Sequence, residues 1–160
     1  MNFEHLIEIN DASLPDLQPL TRSQLWRGLV IRAEKPQLSV IGLDDCRILE
    51  RGDGFLKREL RFGHLQVRDR VRLMPLQSVT YETEASGEMA ASRLIMAIEE
   101  PWPERLFVRF TYADAFGPAA GAMDQFYDEH RKQAYLFADI DTIATIRRLA
   151  SEGLLAEEDA

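Results

Sequence analysis

The sequence predicts an α+β fold in which a seven-stranded antiparallel sheet wraps a long C-terminal helix. Three observations carry this expectation. Phe3, His5, Ile7 and Ile9 alternate with Asn2, Glu4, Leu6 and Glu8, as a strand does. From Cys46 to Tyr112 the period is again two, and turn residues interrupt it about every ten positions. After Gly117-Pro118 the period becomes that of a helix and persists to Glu152.

Each element follows in chain order. Asn10 to Pro19 is rich in turn residues, and Thr21 and Gln24 then have the T-x-x-Q spacing of a capping box. The helix they open runs through Leu25, Trp26, Leu29 and Val30 and must end before Pro36. Residues 37–45 suit either a short helix or an extended connector. Strands are expected over 46–51, 55–62, 65–73, 77–84, 89–99 and 105–113. Connections this short require antiparallel neighbours. The first strand is expected beside both the last strand and strand 46–51. In the C-terminal helix, Met123, Phe126, Tyr127, Ala134 and Phe137 mark the apolar side, and Asp139 or Asp141 suits the cap of a second helical stretch. One kinked helix and two separate ones both fit residues 119–152.

Composition bounds the function. The 160 residues, 46% hydrophobic and 29% charged, have ordinary globular usage and form one domain spanning 1–160. MNFEHLIEIN lacks the basic start and apolar run of a signal peptide, and no window approaches the roughly 18 apolar residues of a membrane span. A single cysteine, Cys46, suits a reducing compartment, so a cytoplasmic location is expected. A net charge of −8 opposes nucleic-acid binding. The basic run from Lys57 to Arg72 encloses Glu59 and Asp69, which reads as a solvated strand face. No cofactor loop or metal-ligand spacing is present. His5, His130 and Asp69 are metal-competent residue types, but a histidine on an apolar face is more often hydrogen-bonded in the core.

Register can be counted from the turns. With Gly63-His64 as a two-residue turn, Leu60 faces Val67 and Arg58 faces Asp69. An opposite-charge pair then lies on the apolar side, among Leu56, Leu60, Phe62, Leu65, Val67, Val71 and Leu73. With Ser86-Gly87 as the next turn, Val79 pairs with Leu94, Tyr81 with Ser92 and Thr83 with Ala90. Leu106, Val108, Phe110 and Tyr112 join the same inner face. Buried polar groups need partners. Two explanations stand: Arg58 and Asp69 are a structural ion pair, or they line a ligand cavity with the row Tyr81, Ser92 and Tyr112. The cavity expectation places Arg58, Asp69, Val71, Tyr81, Ser92, Leu94 and Tyr112 on the sheet side, and Phe126 and His130 on the helix side.

The order of elements is that of the helix-grip fold. The segments LTRSQLWRGLVIRAEKP (20–36), CRILERGDGFLKRELRFG (46–63) and VRDRVRL (67–73) resemble the AtaL-like group of the START/polyketide-cyclase/pollen-allergen superfamily, SRPBCC. The resemblance implies a sheet gripping a long helix over an apolar cavity. One departure stands out: pollen-allergen relatives carry a longer glycine-rich loop, where this chain has only Gly52-Asp53-Gly54, which suits a tight hairpin. Binding of a small hydrophobic or amphipathic molecule is the expected function. The alternative is a cyclase, dehydratase or isomerase acting on a polyketide-like substrate. Asp69 or His130 would then be the base, and Arg58, Tyr81 or Tyr112 would stabilise negative charge.

Overall fold

The computed structural model describes residues 2–14, 16–40, 42–86, 90–114 and 122–155, and the side chains of these other than 122–127. Strand β1 (Asn2–Glu8) leads to helix α1 (Arg22–Glu34) and a single 3-10 turn (Pro36–Leu38). Six strands follow: β2 (Asp45–Gly52), β3 (Phe55–Phe62), β4 (Leu65–Met74), β5 (Ser78–Thr83), β6 (Ser92–Trp102) and β7 (Arg105–Asp114). One helix of 30 residues, α2 (Ala122–Ser151), closes the order. The 3-10 turn settles the short-helix or connector question for part of 37–45, and α2 is continuous through Asp139 and Asp141.

All seven strands form one antiparallel sheet in the order β1-β7-β6-β5-β4-β3-β2. The expectation that β1 would also touch β2 is overturned, because the two lie at opposite edges. Alternation identifies a strand but not its neighbour, and the α1 connection is long enough to carry the chain across the sheet. The β3–β4 register is the counted one, with Arg58 opposite Asp69 and Leu60 opposite Val67. Gly63 makes it possible, since its φ of +61 suits the tight turn. The β5–β6 register differs from the counted one by two residues: Tyr81 pairs with Leu94 and Thr83 with Ser92. A slip of two keeps every side chain on its face, so the alternation could not reveal it. The Gly87 of the expected turn lies outside the described residues.

Helix α1 begins as its sequence requires. The Thr21 hydroxyl accepts from the Gln24 amide at 3.1 Å, and the Gln24 side chain accepts from the Thr21 amide at 2.9 Å. Leu25, Leu29 and Ala33 of α1, Ile143, Ile146 and Leu149 of α2, and the inner residues of the sheet share one buried cluster. Gly28 permits this packing, because a Cβ there would meet Ile146 at 2.5 Å.

The phase of α2 differs from the sequence-based one. Phe137 is 70% exposed and Ala134 faces solvent, whereas Asp139 is 0% exposed and Thr142, Ile143 and Ile146 are buried with it. Two residues along a helix turn about 200°, so Phe137 and Asp139 necessarily face opposite ways. The inward stripe is polar at its N-terminal end, and an apolar search fixes instead on Phe137. The Met123, Phe126 and Tyr127 side chains lie outside the described residues.

Three cations of the basic run on β3 and β4 form ion pairs on the outer face. Arg68 binds Glu59 at 3.1 Å, Lys57 binds Glu50 at 3.2 Å and Arg72 binds Glu82 at 3.4 Å. Exposed pairs of this kind contribute about 0–1 kcal/mol each.

Candidate ligand cavity

A cavity of about 340 Å³ opens between the inner face of β3–β7, the C-terminal half of α1 and Tyr135 of α2. Leu60, Phe62, Val67 and Leu94 give it apolar walls, and among its polar groups three arrangements stand out.

The first is the Arg58–Asp69 pair, which lies at one side of the cavity. Arg58 donates from Nε to Asp69 Oδ1 at 2.9 Å and from Nη2 to Oδ2 at 2.5 Å. Its Nη1 donates to the Ala33 carbonyl at 2.8 Å. Ala33 lies in the last turn of α1, where carbonyls lack helical partners, so Arg58 also caps that helix. Burial disfavours the guanidinium charge, but the hydrogen bond and charge of Asp69 outweigh it and raise the Arg58 pKa. Arg58 is only 3% exposed. Each nitrogen of Arg58 and each oxygen of Asp69 thus has a partner within the protein.

The second is Tyr81, which is 4% exposed and has two guanidinium groups against its ring. Arg58 is 5.1 Å and Arg32 5.0 Å from its ring centroid. The Tyr81 hydroxyl is buried and has no hydrogen-bond partner.

The third is a chain of three residues. Tyr112 donates to Asp139 Oδ1 at 2.5 Å, and the other carboxylate oxygen lies 2.6 Å from His5 Nε2. Tyr112 stacks on Tyr135 with centroids 3.9 Å apart, and His5 stacks on Phe110 at 5.2 Å. Burial pushes the Asp139 carboxyl above its ordinary 3.8, partly offset by the bonds from Tyr112 and His5. Burial, then the charge of Asp139, pushes the Tyr112 phenol up, so it stays a proton donor.

The Asp139 shift has a definite sign. A carboxyl that holds its proton more tightly when folded binds more protons in the folded state, so acidification favours folding. Its contribution is full below 3.8 and is lost as pH rises through the raised folded value. Wild type is therefore expected to gain stability relative to Asp139→Asn as pH falls from neutrality towards about 4. Urea unfolding of both proteins across that range checks it. A relative loss of wild-type stability on acidification would mean that the partners hold Asp139 charged.

Six of the nine expected residues line the cavity: Arg58, Asp69, Tyr81, Ser92, Leu94 and Tyr112. Ser92 lies exposed at its mouth. Val71 does not line it, because it is fully buried in the core behind. His130 is exposed and absent from the lining, since the observed helix phase presents Tyr135 instead. The Phe126 side chain lies outside the described residues. His130 is thus unavailable as a base, and Asp69 has both oxygens bound by Arg58. The sequence reading missed Arg32, Tyr135 and Asp139. A signal for Asp139 existed: Thr142, Ile143, Ile146 and Leu149 form a stripe that, extended back one turn, reaches it.

A larger groove of about 690 Å³ runs between the Asn10–Arg22 segment and the β6–β7 turn. Its polar groups already serve each other. Arg22 binds Glu100 and the Leu76 carbonyl, and Asn10 binds the backbone of Leu20 in both directions. Nothing there calls for a ligand. Among the described residues no three His, Cys, Asp or Glu side chains cluster as a metal site would require, and no helix is long and apolar enough to cross a membrane.

Residues 7–153 match the family model of acetylaranotin biosynthesis cluster protein L, AtaL. The chain belongs to the AtaL family. AtaL membership and the sheet-and-helix topology together place it in the SRPBCC superfamily, with the helix-grip fold. No curated protein matches the sequence. Among solved structures it is similar to the Zhui aromatase/cyclase from Streptomyces sp. R1128, with 13% identity, a TM-score of 0.63, and 94% of this chain and 93% of that one covered. It is also similar to the di-domain ARO/CYC StfQ of the steffimycin biosynthetic pathway, at 11% identity and a TM-score of 0.68, covering 94% of this chain and 51% of that one. A third is the Aha1 dimer from Colwellia psychrerythraea, at 14% identity and a TM-score of 0.60, covering 92% and 96%. At such identities the likeness is one of fold.

Proposed function

We propose that this AtaL-family chain binds one small, ring-bearing amphipathic molecule in the cavity between sheet and C-terminal helix. The observation that carries this reading is the composition of the wall. Leu60, Phe62, Val67 and Leu94 offer an apolar bed, while Tyr81 and the stacked Tyr112 and Tyr135 bring aromatic faces to the same space. An apolar pocket with a few convergent polar groups is the usual form of a small-molecule site. A volume of about 340 Å³ lies at the small end of such sites, which favours a ligand of two or three fused rings over a long lipid. The neutral dye N-phenyl-1-naphthylamine is expected to bind at one per chain and to be displaced by 1-naphthol. Binding without saturation, or dye that 1-naphthol does not displace, would count against a defined cavity.

A second reading, a cyclase, dehydratase or isomerase acting on a polyketide-like substrate, is favoured by the His5–Asp139–Tyr112 chain. With Asp139 protonated, the carboxyl can donate to the Tyr112 oxygen while Tyr112 donates to a substrate carbonyl. Burial of Asp139 makes that state accessible, and developing enolate charge would be met by a hydrogen bond in a site screened from water. Likeness to an aromatase/cyclase of 13% identity supports this at the level of fold. Tyr112→Phe is expected to keep dye binding and to slow turnover of a linear polyketide by about 10²-fold or more. Unchanged turnover would remove Tyr112 from the chemistry.

A further inference from the structure

Two of the cavity's polar side chains, Tyr81 and Arg32, keep hydrogen-bonding capacity that no partner among the described residues takes up. The Tyr81 hydroxyl is buried without a partner, although Tyr81 itself is 4% exposed and lines the cavity. Arg32 lines the same cavity and commits only its Nε, to the Thr142 hydroxyl at 3.2 Å. Among the described residues no carboxylate lies within ion-pair distance of it. The nearby acids are already engaged: Asp69 with Arg58, Asp114 with Arg131, and Asp139 with Tyr112 and His5. The Arg32 guanidinium lies 5.0 Å from the Tyr81 ring centroid, so the two groups are neighbours.

A buried hydroxyl without a partner costs free energy, and so does a half-buried cation with no carboxylate in contact. Both are relieved by one anionic oxygen group that accepts from the hydroxyl and from the guanidinium together. We infer that the cavity's ligand is an aromatic carboxylic acid, its carboxylate seated between Arg32 and Tyr81 and its rings against Leu94 and the Tyr112–Tyr135 stack. This rests on the cavity being the ligand site, and it adds the charge and functional group of what enters. Arg58 is the less available cation, because each of its three nitrogens already donates to Asp69 or to the Ala33 carbonyl. A carboxylate also suits the planar fork of arginine better than a lone hydroxyl does.

The test compares two probes of nearly equal shape, 2-naphthoate and 2-naphthamide, as competitors of N-phenyl-1-naphthylamine at pH 7. Wild type is expected to bind the acid at least about tenfold more tightly than the amide. Tyr81→Phe and Arg32→Gln are each expected to reduce that preference several-fold, weakening the acid more than the amide. The Tyr81→Phe protein should unfold at the wild-type temperature or above it, because the hydroxyl removed has no partner to lose. Should Arg32→Gln fail to fold, Tyr81→Phe alone decides the matter. Equal affinity for acid and amide in wild type, or a preference that survives in both variants, overturns the carboxylate subsite and leaves the cavity reading standing. If the dye itself does not bind, both fall together.

Discussion

Asp69→Asn is expected to cost about 3–5 kcal/mol of stability, and Arg58→Gln a similar amount, because each leaves the other partner desolvated. Asp69 and Arg58 are both buried, with bonds of 2.9 and 2.5 Å between them. Arg58 also holds the Ala33 carbonyl at 2.8 Å, so losing it uncaps α1 as well. The double variant should lose little more than the worse single one, since removing the second partner discards a group that is already a liability. Urea unfolding of wild type, both single variants and the double variant gives the coupling directly. Two losses that simply add would show that the pair is independent in solution. The sequence alone left open whether this pair was structural or part of a ligand site. The geometry makes it structural first, because every oxygen of Asp69 and all three nitrogens of Arg58 are used within the protein.

Much of the sheet was legible because its information is local. The Gly63-His64 turn admits one register, and that register placed Arg58 opposite Asp69 as observed. Between β5 and β6 the turn was placed at Ser86-Gly87, and alternation is blind to a slip of two, so Tyr81 was matched to Ser92 instead of Leu94. The inner-face assignments survived that error. Sheet order was less accessible: the α1 connection sets no neighbour for β1, and the far-edge position of β2 follows from tertiary packing. On α2 the apolar residues misled outright. Phe137 and Ile140 are exposed, while Asp139 and Thr142 face inwards. A buried carboxylate is credible only once its partners are known, and His5 and Tyr112 lie far from it in sequence. The cavity's sheet wall was therefore largely foreseen and its helix wall was not.

The space between Tyr81 and Tyr112 is where a small molecule is expected to bind. Leu94 is opposite both, paired with Tyr81 on β5 and with Tyr112 on β7, and its side chain lines the cavity. Ser92, nearer the mouth and exposed, is a poorer place to fill it. An indole at position 94 would occupy empty volume, so the cost in stability should stay within about 1–3 kcal/mol. The decisive measurement is a fluorescence titration of N-phenyl-1-naphthylamine against wild type and a folded Leu94→Trp protein. Saturable binding at one dye per chain in wild type, weakened by about 100-fold or more in the variant, is the expected result. Equal affinity in the two proteins would contradict it and place the ligand site elsewhere.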